Sequence, residues 1–447
     1  MRARRLIPAM AAAVGVVLTG CSAGDTTDDA DVVTVTVVSD PTGEDPAGSV
    51  SSGSVTVPGS ASGGGSSPAS SAPGSSPART TSTTAEPGAS SSTTPPKKTA
   101  KTTTTSGTDG RPASNIPMRK LKPGEKPPQF IIFSFDGAGS HEKWNLFMDA
   151  AKPTDSRFVG FLTGIYLVET ANKQAYTGPG HSPGKSSVSF GGTKEEIVTE
   201  IEDLNKAYAA GHEIGTHYNG HFCAGAEPSG KDWDTAAWNS ELDQFMKFVT
   251  DYKKINNWGD EVPDLKVTAD DIKGGRTPCL EGVLKEMAPA WKKHGLTYDS
   301  SLTFGSGITW PDQREGIWEF PMPYVYSPGF QGMVMAMDYN FWVKFNGGKE
   351  QPETAPELRS IVTQTYDYMY DQAYNGNRAP VLIANHFNAW NGDSFNVPAL
   401  AFMKDKCGQP ETYCATYSDV IQWMELQDPA VLKELQQRAP VAAGPAS

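Results

Sequence analysis

The stretch Gly211-His212-Glu213-Ile214-Gly215-Thr216-His217-Tyr218-Asn219-Gly220-His221 carries a short apolar strand straight into two histidines four residues apart. On one helical turn an H-x-x-x-H pair projects both rings to the same side, where neutral imidazole nitrogens chelate zinc or a similar borderline ion. The run is therefore read as a strand whose C-terminal end delivers half of a metal site. Other runs in the chain repeat that plan. Gln129-Phe130-Ile131-Ile132-Phe133-Ser134-Phe135 ends at Asp136, and Val381-Leu382-Ile383-Ala384-Asn385 ends at His386. Arg157 to Thr163 reads as a strand with no ionisable end, and Gly274-Gly275-Arg276-Thr277-Pro278 and Thr297-Tyr298-Asp299-Ser300-Ser301 lie between the histidine runs.

Helical patterns separate these strands. Thr193-Lys194-Glu195-Glu196 offers a capping box, Ile197, Ile201 and Leu204 follow at helical spacing, and Gly211 closes the helix. Ser240 precedes an apolar stripe of Leu242, Phe245, Met246 and Val249, and Glu281 to Lys293 predicts a further helix, bent or shortened at Pro289. Alternating strands and helices imply an α/β fold with a parallel sheet. Polar residues at successive strand C-termini imply a barrel with its site on that face.

At the N-terminus, Met1-Arg2-Ala3-Arg4-Arg5, an apolar run from Leu6 to Leu18, and Leu18-Thr19-Gly20-Cys21 read as a secretion signal over 1–21. The final four residues resemble the lipobox of bacterial lipoproteins, which implies a diacylated Cys21. The expected location is the outer face of a cell membrane, lipid-anchored and extracytoplasmic. Residues 22–110 are dominated by Ser, Thr, Gly, Pro and Ala and carry almost no aromatics, so they are read as a disordered tether. Such a tether has a mean span on the order of 50 Å. Residues 111–447 hold nearly all the aromatics and read as one domain, expected to be a monomer. A formal net charge of −13 argues against nucleic acid as a partner. The mature cysteines are Cys223, Cys279, Cys407 and Cys414, an even number in an exported chain. Cys407 and Cys414 flank a short polar loop and suggest a local disulfide. A Cys223–Cys279 bridge would staple two chemical loops, although four cysteines permit three connectivities.

From Phe130 to Met424 the order of motifs resembles the polysaccharide deacetylase family, of the carbohydrate esterase family 4 type. Ser134-Phe135-Asp136-Gly137 resembles the first motif, normally Thr-Phe-Asp-Asp-Gly. His217-Tyr218-Asn219-Gly220-His221 resembles the His-Ser/Thr-x-x-His metal motif, with Tyr218 at the hydroxyl position. Arg276-Thr277-Pro278-Cys279 resembles Arg-x-Pro-aromatic, Leu382 to His386 resembles the leucine-histidine motif, and Asp338-Tyr339-Asn340-Phe341-Trp342 has the spacing of Asp-x-x-x-Trp. The resemblance implies a distorted (β/α) barrel of about seven strands. It also implies a hydrolase of non-peptide carbon-nitrogen bonds that removes N-acetyl, or O-acetyl, groups from a polysaccharide such as peptidoglycan. By motif, His217 and His221 bind a divalent metal, zinc above others; Asp136 is the base, Arg276 orients it, and His386 is the acid. The Cys279 N–H would help to hold the oxyanion. Either Asp299 or Asp338 could orient His386.

One departure is chemical. The family pairs two aspartates, base then ligand, whereas Asp136 is followed by Gly137-Ala138-Gly139. Asp136 could then bind the metal while another group serves as base, a donor such as His141 or solvent could fill the third position, or the metal could be weak or absent. The last case describes a non-catalytic glycan-binding relative. Trp310, Trp342 and Trp390 are candidates for stacking on sugar rings.

Overall fold

The computed structural model describes residues 112, 114–122, 124–303 and 305–444. The signal, Cys21 and the tether lie outside the described residues. Eleven strands follow in chain order: β1 (Gln129–Gly137), β2 (Val159–Leu162), β3 (Glu213–Thr216), β4 (Gly274–Gly275), β5 (Tyr298–Asp299), β6 (Asp312–Arg314), β7 (Ile317–Glu319), β8 (Tyr324–Ser327), β9 (Gly332–Met335), β10 (Val381–His386) and β11 (Thr412–Cys414). Nine of them form one sheet in the order β10-β1-β2-β3-β4-β5-β7-β6, with β11 also on β1. All neighbours are parallel except β6, which runs back along β7.

β1 carries the most pairings in this sheet, with β10, β2 and β11 all on it. Phe130, Ile131, Ile132, Phe133 and Phe135 are all fully buried, the continuous apolar run of a parallel strand covered on both faces. One edge pairs with β10 from Ile131↔Val381 to Asp136↔His386. The other edge is divided, its first half on β11 and its second half on β2. Apolar runs expected to be strands are therefore strands, and because they are parallel their C-terminal ends share one side.

Helices cover the sheet. Helix Lys194–Ala209 starts at Thr193 with the expected capping box, the Thr193 hydroxyl accepting from Glu196 N and the Glu196 carboxylate from Thr193 N. Helix Thr235–Ile255 is longer than the Ser240 start predicted, because Asp234 caps it by accepting from Ala237 N at 2.8 Å. The next helix, Leu284–Lys293, carries Pro289 in its interior. Both disulfides suggested by the sequence are present, Cys223–Cys279 and Cys407–Cys414.

The expected barrel does not close. Among the described residues β10 and β6 end the path unpaired with each other, and the outer edge of β10 meets only a one-residue parallel bridge, Met337↔Ala384. The segment that would supply the closing strand carries Pro321, Pro323 and Pro328, which have no N–H for a ladder, and it folds instead into the separate β8–β9 hairpin. Pro321, Pro323 and Pro380 line the gap that results. The fold is a mixed α/β structure on an open, largely parallel sheet.

Close packing against β2 depends on a missing side chain. A Cβ on Gly160 would stand 2.3 Å from the ring of Trp144, which is fully buried and donates its indole N–H to Ala138 O at 2.7 Å. Gly160→Ala is expected to destabilise the fold by about 1–3 kcal/mol through overpacking. Urea denaturation checks this, and an unchanged midpoint would show that Trp144 can yield.

Candidate active site

The parallel direction brings the ends of β1, β3, β4 and β10 together. Asp136 and His386 are register partners at two of those ends. Arg276, just past β4, is fully buried and reaches Asp136 Oδ1 with Nη1 at 2.8 Å. Its other two nitrogens are engaged as well: Nη2 donates to Ser134 Oγ (3.1 Å), Ser300 Oγ (2.9 Å) and Tyr417 Oη (2.9 Å), and Nε to Ser300 O (2.9 Å). The guanidinium also lies 5.0 Å from the centroid of Phe161. Asp136 is thus held through one oxygen, while its Oδ2 is buried without a hydrogen-bond partner.

The histidine pair is not helical. Tyr218 and His221 take left-handed φ values of 57° and 53°, so a tight loop replaces the expected helical turn. That loop is held from outside its own sequence. The Glu241 carboxylate, on helix Thr235–Ile255, accepts from Asn219 N at 3.0 Å and Gly220 N at 3.2 Å, and Asn219 Nδ2 donates back to Glu241 O at 2.8 Å. Burial pushes Glu241 up to about 7, and Tyr176 donates to it as well. The Tyr218 hydroxyl accepts from Trp291 Nε1 at 2.8 Å.

The loop still leaves a ring nitrogen free to accept. His217 Nδ1 donates to Arg276 O at 2.9 Å, which fixes the tautomer and leaves Nε2 as an acceptor that is buried and unpartnered among the described residues. The centroids of His217 and His221 are 5.2 Å apart. Burial pushes both imidazoles down to about 3, so each is neutral and able to ligate. His386 and Asp136 are near enough to His221 to influence its ring electrostatically.

His386 is built differently. Its Nδ1 lies 2.9 Å from Asp338 Oδ1, and its backbone N–H donates to Asp338 Oδ2 at 2.6 Å. Burial alone would lower the ring, but the Asp338 charge and hydrogen bond outweigh it and raise it above the usual histidine value. With Nδ1 engaged, Nε2 is the position for an exchangeable proton. Trp390 lies 4.8 Å from the His386 ring, centroid to centroid, and stacks on Trp342 at 5.6 Å. Trp310 is elsewhere, buried against Trp423.

Of the two carboxylates that could orient His386, Asp338 does so. Asp299 instead accepts from Ser301 N (2.7 Å) and Ser301 Oγ (2.6 Å) and is the register partner of Glu319. His141 supplies no third ligand: its side chain is 59% exposed and turned to Asp203 at 2.7 Å. At Gly137, φ is +71°, and a Cβ there would stand 3.5 Å from Tyr166 Oη. The position has room for a side chain but a backbone that disfavours one.

The residues present fit a divalent cation. His217 Nε2 and Asp136 Oδ2 are buried acceptors lacking donors and His221 is neutral, so in kind the two histidines and one carboxylate match a known catalytic zinc donor set; in this structure their donor atoms are not all within 4.8 Å of one another, and binding an ion would draw them together. Tyr417, Ser300 and Glu241 carry no sequence signal of their roles, since each acts across more than 20 residues of chain.

No family model matches the chain, and no curated protein matches it in sequence. Solved structures resemble it weakly. A candidate polysaccharide deacetylase from Mycobacterium smegmatis superposes with a TM-score of 0.40 at 13% identity, over 74% of this chain and 99% of that one. A family 4 carbohydrate esterase from Streptomyces lividans, in complex with acetate, gives 0.32 at 11%, over 64% and 92%. The peptidoglycan deacetylase PdaC from Bacillus subtilis gives 0.34 at 11%, over 71% and 98%. Likenesses this low assign no chemistry, which rests on the geometry above.

Arg276→Ala would strand the buried Asp136 charge and is expected to cost about 3–5 kcal/mol in chemical denaturation, whereas His217→Ala should cost far less; equal losses would make both residues structural. The Asp299 and Glu319 side chains are buried; burial raises both pKa values, and the Asp299 charge raises that of Glu319 further. A raised carboxyl keeps its proton in the folded state, so its contribution is full below the unfolded value of about 4.3 and is lost as pH rises through the folded value. Stability should therefore fall as pH rises from about 4.3 to the raised folded values and level off above them, and Glu319→Gln should flatten that slope in denaturation measured across pH.

Proposed function

We propose that the chain is a metal-dependent hydrolase that removes acetyl groups, N-linked before O-linked, from an extracytoplasmic polysaccharide such as peptidoglycan. The observation that carries this reading is the pair of buried, donorless acceptors, Asp136 Oδ2 and His217 Nε2, beside His221 and His386. A buried polar atom left unsatisfied costs about 1–3 kcal/mol, so the bare His217 Nε2 favours a resident cation and the bare Asp136 Oδ2 a proton donor such as water. A bound divalent ion, zinc foremost, would polarise the acetyl carbonyl and acidify water.

The chain's own groups supply the rest. Asp136 Oδ2 accepts the proton of the attacking water while Arg276 keeps the carboxylate from turning. His386, whose proton affinity Asp338 raises, gives its Nε2 proton to the departing nitrogen, which an amide needs more than an ester does. The Cys279 N–H is assigned to the developing oxyanion, and Trp390 with Trp342 to an aromatic wall against the sugar. A lipid anchor at Cys21 and the tether over 22–110 would carry the domain to its polymer.

A second reading, a glycan-binding relative without catalysis, is favoured by Gly137, where φ of +71° stands in place of a second carboxylate. Acetate release separates the two. With zinc supplied, the wild-type chain is expected to release acetate from peptidoglycan fragments, and His217→Ala and Asp136→Asn to release none. Asp338→Asn should lower the His386 pKa and move the alkaline limb of the pH–rate profile to lower pH. Wild-type binding of fragments without acetate release would establish the second reading instead.

A further inference from the structure

The two loops that carry His221 and Arg276 are joined at their outer ends by Cys223–Cys279, with Cα atoms 6.1 Å apart. His221 Nδ1 is 3.6 Å from Cys223 Sγ, and the His221 nitrogen and both sulfurs lie within 4.8 Å of one another. Such a group has the makings of a zinc site, yet sulfurs bonded to each other are not thiolates and do not ligate. We propose that reduction of Cys223–Cys279 creates a second metal site on the rim of the first, in which the two thiolates and the His221 imidazole bind a borderline divalent ion.

The chemistry is a two-electron exchange. A dithiol attacks one sulfur, the Cys223–Cys279 bond breaks, both cysteines leave as thiols with the dithiol's two protons, and the dithiol becomes a disulfide. Metal binding then displaces the two thiol protons. Tetrahedral zinc with sulfur at about 2.3 Å and nitrogen at about 2.0–2.1 Å needs donors roughly 3.5–4 Å apart, so once their bond is broken the sulfurs must nearly double their 2.09 Å separation while His221 stays near.

The backbone is held for this without the disulfide. Glu281, two residues past Cys279, accepts from Ala224 N at 2.8 Å, Ser229 Oγ at 2.6 Å and Lys231 N at 3.2 Å, which ties the chain after Cys279 to the chain after Cys223. On the inner side, Arg276 N donates to Thr216 O at 3.0 Å and His217 Nδ1 to Arg276 O at 2.9 Å. Cys223 is buried, whereas His221 and Cys279 are half-buried, so ions and reductants can reach the group. His221 belongs to both donor sets and His217 only to the first. The proposal rests on the metal-site reading in that sharing alone.

Cobalt(II) chloride is the probe, because a thiolate–cobalt bond shows a charge-transfer band that nitrogen and oxygen ligands lack. The full chain is titrated oxidised, and again after a dithiol has been added and removed without oxygen. The expected result is a thiolate band in the reduced protein alone, absent in Cys223→Ser and retained in the Cys407→Ser/Cys414→Ser double variant. His217→Ala should abolish cobalt binding by the oxidised form and leave the band of the reduced form, so failure of one site is distinguishable from failure of the other. No band in reduced wild type, a band surviving Cys223→Ser, or loss of native circular dichroism on reduction would each overturn the proposal.

Discussion

The buried pair of Arg276 and Asp136 is the constraint on which the site depends. Two charges removed from water are stable only where every remaining donor is satisfied, and here the guanidinium meets Asp136 and Ser134 on β1, Ser300 past β5 and Tyr417 at the start of helix Tyr417–Leu426. One side chain thereby ties β1 to β5, four strands away across the sheet, and to a covering helix. The same contacts decide the direction of the Asp136 carboxylate. Its Oδ1 is taken and its Oδ2 is not, so the structural role and the chemical role are divided between two oxygens of one residue.

The backbone around this pair is kept in conformations that L-residues rarely choose. Tyr218, His221 and Cys279 all have φ near +55°, which costs each of them on the order of 1 kcal/mol. Such a loop persists only if something else holds it. Glu241 does so by placing a carboxylate under two consecutive backbone N–H groups, and Glu281 repeats the device on the neighbouring loop. The histidines are consequently positioned by acidic residues that never face the site.

How much of this is legible in the sequence follows from range. β1, β10 and helix Lys194–Ala209 are encoded locally, by apolar runs and a capping box, and the endpoints Asp136 and His386 could be read directly. The spacing of His217 and His221 was legible as a pair but not as a loop, because the helical geometry fails through contacts with Glu241, 20 residues or more downstream. Similarly, Asp299 and Asp338 are equivalent on paper, and only the register of β5 beside β7 sends Asp299 to Glu319 and leaves His386 to Asp338. Barrel closure was misread because strand counting gives no weight to the prolines of the 320–328 segment, which remove the donors a closing strand would need.

Gly137 concentrates the remaining chemical question in a single atom. A two-aspartate pattern gives ligand and base separate side chains; here the motif's one unpartnered carboxylate oxygen is Asp136 Oδ2, and no substitute comes from His141, which faces Asp203. His386 does not relieve that oxygen of the base role, since Asp338 raises its proton affinity and suits it to donate. If Oδ2 takes protons, the cation is left with two histidines and solvent, and its hold weakens while its Lewis acidity is kept. If Oδ2 binds the cation, proton removal falls to solvent or substrate. The local geometry favours the first division, because Arg276 already neutralises the carboxylate through Oδ1 and so reduces its attraction for a second positive charge.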